Sequence, residues 1–312
     1  MQYLLTGATG FIGTHYCHYL LEHGHAVSAV VRDLDKASKI LGPKVTLYRG
    51  CDEITKTAKF DCIINLAGEP IAGGRWTKSR QKSLQASRIE TTNDLINLVE
   101  GLVDKPSVMI SASAVGFYGR QQDQWMIEEA EAQDIFMSSL CKFWEEAAAA
   151  VTEFGVRLVI PRLSVVLGTQ GGALPALALP HRFAAGMKIG TGTQYFPWIH
   201  LDDVIDFFER AVNTAQIDGI YNLVAPDSHT QDSFNRTLAD TLGRPYFLWA
   251  PAGLFKLLFG EMSDLFISGQ RVSGGKLDKI GFEYSYPDLQ SALSDCLLNK
   301  ESAIKTIKQS AE

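Results

Sequence analysis

The chain has 312 residues, with 29 Lys and Arg against 35 Asp and Glu, a formal net charge of −6, 46% hydrophobic and 21% charged residues. That length accommodates one large α/β domain and a smaller lobe, and the composition is that of an ordinary globular protein. The negative charge gives no support to a general attraction for nucleic acid or anionic membranes, and the five scattered cysteines, without a C-x-x-C pair, fit a reduced, cytoplasmic chain.

In chain order, "QYLLT" (2–6) predicts a strand that starts with no basic leader or cleavage site ahead of it. A helix follows near 11–23, then strands at "AVSAVVR" (26–32), "VTLYR" (45–49) and "CIINLA" (62–67). A helix near 79–101, a strand at "SVMISAS" (107–113), a helix near 137–154 and a strand at "VRLVIPR" (156–162) complete the alternation. Buried strands alternating with helices imply a parallel sheet covered on both faces, and right-handed crossovers make it doubly wound. After about residue 165 the rhythm breaks. "GTQGGALPALALP" and "GTGTQYFPW" are loop-rich, "GIYNLVAP" (219–226) reads as another strand, and a helix near 230–242 stops at Gly243 with Pro245 beyond. No apolar run reaches membrane-spanning length. The expectation is an α/β chain: a doubly wound parallel Rossmann sheet over 1–165, a smaller C-terminal α/β lobe with returning elements over 166–298, and a polar tail over 299–312.

"TGATGFIG" (6–13) follows the first strand and opens a helix. Gly7 permits the tight turn, Gly10 lets the backbone approach a pyrophosphate, and Gly13 lets helix and strand pack closely. The helix start, with Phe11 and Ile12, offers free N–H groups to that anion. At the end of the second strand, Arg32 is placed to grip a 2′-phosphate, which favours NADP(H); Asp33 turned inward would favour NAD instead. Leu66, Ala67 and Gly68 of "NLAG" end the fourth strand, at the edge of an open sheet where ligands bind.

"TGATGFIG", "NLAG" and "HLDDV" (200–204) resemble extended short-chain dehydrogenases/reductases. "NLAGEPIAGGRWT" (65–77), "SRIETT" (87–92), "SASAVGFYG" (111–119), "LCKFWEEAA" (140–148), "VLGTQGGALP" (166–175), "QYFPWIHLDDV" (194–204) and "SGQRVSGGKLDKIGFEYSYPDL" (268–289) are similar to an atypical branch, the epimerase family of the SDR39U1 type. The resemblance runs from Thr6 to about Leu293. It implies a Rossmann fold and NADP(H) binding, with Lys142 on the nicotinamide ribose, Arg162 among the cofactor contacts, and Ser113 polarising a substrate oxygen, with Ser111 close by. The branch supplies no established substrate.

The ordinary members of the class set a tyrosine four residues before the lysine, and here Ser138 stands four before Lys142. An alkyl hydroxyl is far less acidic than a phenol of pKa ~10, so Ser138 does not inherit the proton transfer. Tyr118, after the fifth strand, and Glu69, after "NLAG", are the candidates to replace it, each with a structural alternative: a packed aromatic and a solvated carboxylate. Glu69, Arg75, Trp76 and Arg88 form the expected substrate rim, with an anionic small molecule as the ligand. The function expected is an NADP(H)-dependent oxidoreductase or epimerase with unusual acid–base machinery. The alternative is a regulator or redox sensor that binds NADPH without turnover.

Overall fold

Strand β1 (Gln2–Thr6) is buried from Tyr3 onward because it runs through the middle of a parallel sheet. This computed structural model describes residues 1–121, 123–169 and 171–298; the expected tail over 299–312 lies outside them. After β1 come α1 (Phe11–Glu22), β2 (Ala26–Val30), α2 (Leu34–Leu41), β3 (Thr46–Tyr48), β4 (Cys62–Asn65), α3 (Lys78–Gly101), β5 (Val108–Ser111), β6 (Ser113–Ala114) and α4 (Phe136–Ala149). The sheet order is β3, β2, β1, β4, β5, then the strands Arg157–Leu163 and Gly219–Leu223, with β6 beside Arg157–Leu163. From β3 to Arg157–Leu163 every neighbouring pair is parallel. The reversal of strand order beside β1 is the switch point of a doubly wound sheet.

The chain divides into two compact units. The first comprises Met1–Phe117, Ala132–Arg162 and Ile205–Tyr221; the second comprises Tyr118–Glu131, Leu163–Val204 and the chain from Asn222 onward. In the first unit, side chains alternate across the sheet, and both faces are buried. Leu4, Ile63, Met109 and Leu158 pack with Leu95, Val99 and Val151 on one face. Leu5, Ile64 and Ile110 point the other way and are also inaccessible. The helix α2 was missed in the sequence because it is short. Its signal is Asp33, whose carboxylate caps it by accepting from the Lys36 N–H at 3.0 Å.

In the second unit, three short parallel pairs join Val165–Leu167 to Trp198–His200, Met187–Ile189 to Leu248–Ala250, and Trp125–Met126 to Arg271–Val272. Its core gathers Leu167, Trp198, Phe234, Leu238, Leu293 and Cys296. The helix Gln231–Thr241 starts with a reciprocal capping box between Thr230 and Ser233. It ends before Gly243, which takes φ +62°.

Candidate functional site

The turn from β1 into α1 has the form the glycines predict, and each glycine has a different reason. Gly7 sits at φ +68°, and a Cβ there would lie 2.4 Å from the Leu66 carbonyl oxygen. The turn is therefore pressed against the end of β4, which is how Leu66, Ala67 and Gly68 come to flank it. At Gly13 a Cβ would lie 2.3 Å from the Gly7 oxygen, so this glycine sets the close packing of helix on turn. Gly10 is exposed, and its Cβ would meet only the Gly7 oxygen, at 3.1 Å. It is the N-cap of α1, with no side-chain cap and no acidic residue in the first turn. The first N–H groups of α1 thus carry a positive end with no side-chain cap, beside a residue that leaves room for a ligand. Phe11 and Ile12 are half-buried at that start, and Thr14 Oγ1 donates to the Ala8 carbonyl at 3.1 Å.

Beyond β2, Arg32 extends into solvent with its side chain 89% exposed, 3.9 Å from Glu69 Oε1. Asp33 turns to its capping role instead. Glu69 is held mainly by Arg80 Nη1, while Arg80 Nη2 donates to the Pro70 carbonyl at 2.7 Å. Arg88 donates to the Leu84 and Glu69 carbonyls, both at 3.1 Å, and stands over the Trp144 ring. Burial lowers the Arg88 pKa. Arg32 and Arg80 therefore approach the Glu69 carboxylate at the end of β4, while Arg88 holds the Glu69 backbone carbonyl. Arg75 is exposed.

A buried polar chain crosses the strand ends. In register, Thr6 lies opposite Asn65 and Asn65 opposite Ser111. Thr6 Oγ1 donates to Asn65 Oδ1 at 2.7 Å, and Asn65 Nδ2 donates to Thr92 Oγ1 at 2.8 Å and Ser111 Oγ at 3.0 Å. Trp144 Nε1 also donates to Thr92 Oγ1. Next to this chain, Ser113 Oγ donates to Glu145 Oε1 at 2.6 Å. Arg162 grips the same carboxylate with Nε and Nη2, each at 2.8 Å, and its guanidinium lies 3.5 Å over the Phe117 ring.

Three expected site residues are packed into the interior, and a fourth, Lys142, is exposed. Arg162, expected on the cofactor, is 1% exposed and its fork is taken by Glu145. Lys142, expected at the ribose, is exposed on α4 and lies 3.9 Å from Glu146. The buried stripe of α4 runs Ser138, Cys141, Trp144, Glu145 and Ala148, and Lys142 is one step off it. Trp76 is 7% exposed, donates Nε1 to the Ile71 carbonyl and packs on Phe136. Tyr118, in the second unit, is wholly buried and donates its hydroxyl to Asn222 Oδ1 at 2.6 Å, so it fills the packed-aromatic alternative. Ser138 is also wholly buried and donates to the Gly116 carbonyl at 3.2 Å.

Besides Glu145, α4 turns Cys141 toward Ser113, and its thiol meets Ser113 and the Ala114 backbone. One turn earlier Met137 lies against Gly116. Sequence reasoning missed Cys141 and Glu145 because it fixed the helix face from Lys142. The available signal was the spacing of Leu140, Cys141, Trp144 and Ala148, which marks the apolar stripe. Burial, reinforced by Glu145, pushes the Cys141 thiol up to about 12. Cys141 is therefore expected to stay unmodified when the folded protein is treated with a thiol reagent at pH 8, as read by peptide mass mapping. Labelling as fast as that of an unfolded control would contradict this placement.

Comparison with known proteins follows the same lines. A family model described as the NAD dependent epimerase/dehydratase family matches residues 3–224, and a domain of unknown function, DUF1731, matches residues 250–296. The epimerase family protein YfhF of Bacillus subtilis is 34% identical over 304 residues, covering 97% of this chain and 100% of that protein. The crystal structure of human epimerase family protein SDR39U1 with NADPH is similar at a TM-score of 0.85 and 32% identity, covering 95% of this chain and 99% of that one. UDP-glucuronic acid 4-epimerase from Bacillus cereus, in complex with UDP-glucuronic acid and NAD, shares the fold at a TM-score of 0.76 and 18% identity, over 95% of this chain and 97% of that one. With its glycine turn, its parallel sheet and these whole-length likenesses, the chain belongs to the NAD dependent epimerase/dehydratase family.

Proposed function

We propose that this chain binds NADP(H) on the first unit and acts on a small molecule as an oxidoreductase or epimerase whose proton transfer does not run through a tyrosine. The observation that carries the reading is the uncapped start of α1 beside the open face of Gly10. The likeness to a protein crystallised with NADPH supports it. The choice of NADP(H) over NAD(H) rests on Arg32 and Asp33 together. Asp33 caps α2 through one oxygen, and the Arg32 guanidinium, 89% exposed and 3.9 Å from Glu69, extends where it could meet a 2′-phosphate.

When bound, the nicotinamide supplies or takes a hydride. The chain's own groups do the rest. The α1 N–H groups and the backbone of Leu66, Ala67 and Gly68 hold and orient the diphosphate. Ser113, 1% exposed with its proton directed to Glu145, would meet a substrate hydroxyl only once the side chains over it give way. Arg75 and Arg88 supply positive charge for an anionic substrate, with Glu69 among them. A second reading, a binder that does not turn NADPH over, is favoured by one specific feature: the α4 face toward Ser113 and Gly116 carries Met137, Cys141 and a Glu145 already paired with Arg162, with no tyrosine among them.

Arg32→Ala is expected to weaken NADPH by about 10- to 100-fold, the value of about one hydrogen bond to a charged group. NADH affinity is expected to change little. Titration of both nucleotides by fluorescence measures the ratio, and an equal loss for both would remove Arg32 from the 2′-phosphate. A screen of aldehydes, ketones and sugar nucleotides, followed by NADPH absorbance, separates the two readings: turnover of any of them favours the first.

A further inference from the structure

Within the second unit, His200 ends the strand Trp198–His200 and begins a cluster that the nucleotide site does not use. His200 is 2% exposed, and its Nε2 is buried without a hydrogen-bond partner. That atom lies 3.5 Å from Asp295 Oδ2. Cys296, the next residue, is 3% exposed, and the three donor atoms lie within 4.8 Å of one another. A buried imidazole nitrogen left without a partner costs free energy that a ligand could recover. Nitrogen, sulfur and carboxylate oxygen together are the donor set of zinc rather than of calcium or magnesium.

We propose that His200 Nε2, Asp295 and Cys296 Sγ form a binding site for a borderline-soft divalent cation of the zinc class. Three protein ligands leave a fourth position for water. The Asp295 side chain is 27% exposed and gives the ion a way in. Asp202 Oδ2 lies 3.6 Å from His200 Nδ1. A thiol ligates as its thiolate, so loading the cation releases the Cys296 proton to solvent as the metal–sulfur bond forms. It also requires the histidine tautomer with hydrogen on Nδ1. That proton faces the Asp202 carboxylate, in exchange for the present 3.2 Å contact from the Asp202 N–H to Nδ1. The Tyr286 ring, with its centroid 3.8 Å from that of His200, fixes the plane of the imidazole.

The test uses the full chain freed of metal by a chelator, with cobalt(II) and zinc(II) as probes. The expected result is one equivalent of cobalt, a near-ultraviolet thiolate-to-cobalt charge-transfer band, and loss of that band when zinc is added. Cys296→Ser should abolish the band, and Asp295→Asn should weaken binding by about tenfold or more. Far-ultraviolet circular dichroism checks that both variants fold, and neither changes a residue of the nucleotide site. Absence of stoichiometric binding to the wild-type chain would overturn the proposal. So would a band that survives in folded Cys296→Ser, since the ion would then sit on another of the five cysteines.

Discussion

Gly10→Asp is expected to lower NADPH affinity by about 100-fold or more while leaving the protein folded. The backbone at Gly10 is extended, with φ −81°, so any L-residue adopts it. An added Cβ meets the Gly7 oxygen at 3.1 Å, a tight contact that a small shift relieves. Aspartate is also among the preferred residues at an N-cap, which offsets that shift. The same carboxylate would occupy the place of the diphosphate and repel it, removing two or more hydrogen bonds to a charged group at roughly 1.5–3 kcal/mol each. Fluorescence titration with NADPH measures the loss, and circular dichroism confirms the fold. Unchanged affinity in the folded variant would refute the placement of the loop. Gly13→Ala is a contrasting control, because its Cβ would strike backbone at 2.3 Å and the damage falls on folding.

Glu145→Ala is the second large effect, and it acts on stability. Glu145 is 8% exposed and holds both Arg162 and Ser113. Its removal leaves a guanidinium of 1% exposure without its carboxylate. Breaking a buried pair from one side costs about 3–5 kcal/mol, far more than the pair is worth against a hydrophobic replacement. Chemical unfolding of the two proteins side by side measures the difference. A loss below about 1 kcal/mol would show that water or another group compensates Arg162. Because Ser113 loses its acceptor in the same variant, its hydroxyl proton would turn elsewhere. Any activity found in the substrate screen should therefore fall along with stability.

The fold was legible where the chain repeats a local rule. Strands β1, β4, β5 and Arg157–Leu163 centre on apolar runs because both faces of the sheet are covered, and α1 and α3 follow helical spacing. The glycine turn was legible because three backbone requirements leave three glycines at fixed offsets. The rest of the site depends on which way side chains turn across distant segments. Lys142 and Cys141 are adjacent in sequence, and only the packing of α4 decides which of them is buried. Arg162, placed in the sequence beside the cofactor, meets Glu145 from another element seventeen positions away. Trp76 and Tyr118 are amphipathic aromatics, which serve a cleft or a core equally well until their hydrogen-bond partners are known.

The most direct measurement is an equilibrium titration of the purified wild-type chain with NADPH and, in parallel, with NADH. The account predicts saturable binding of one NADPH per chain, tighter than NADH. No saturation with either nucleotide, in protein shown to be folded, would contradict it.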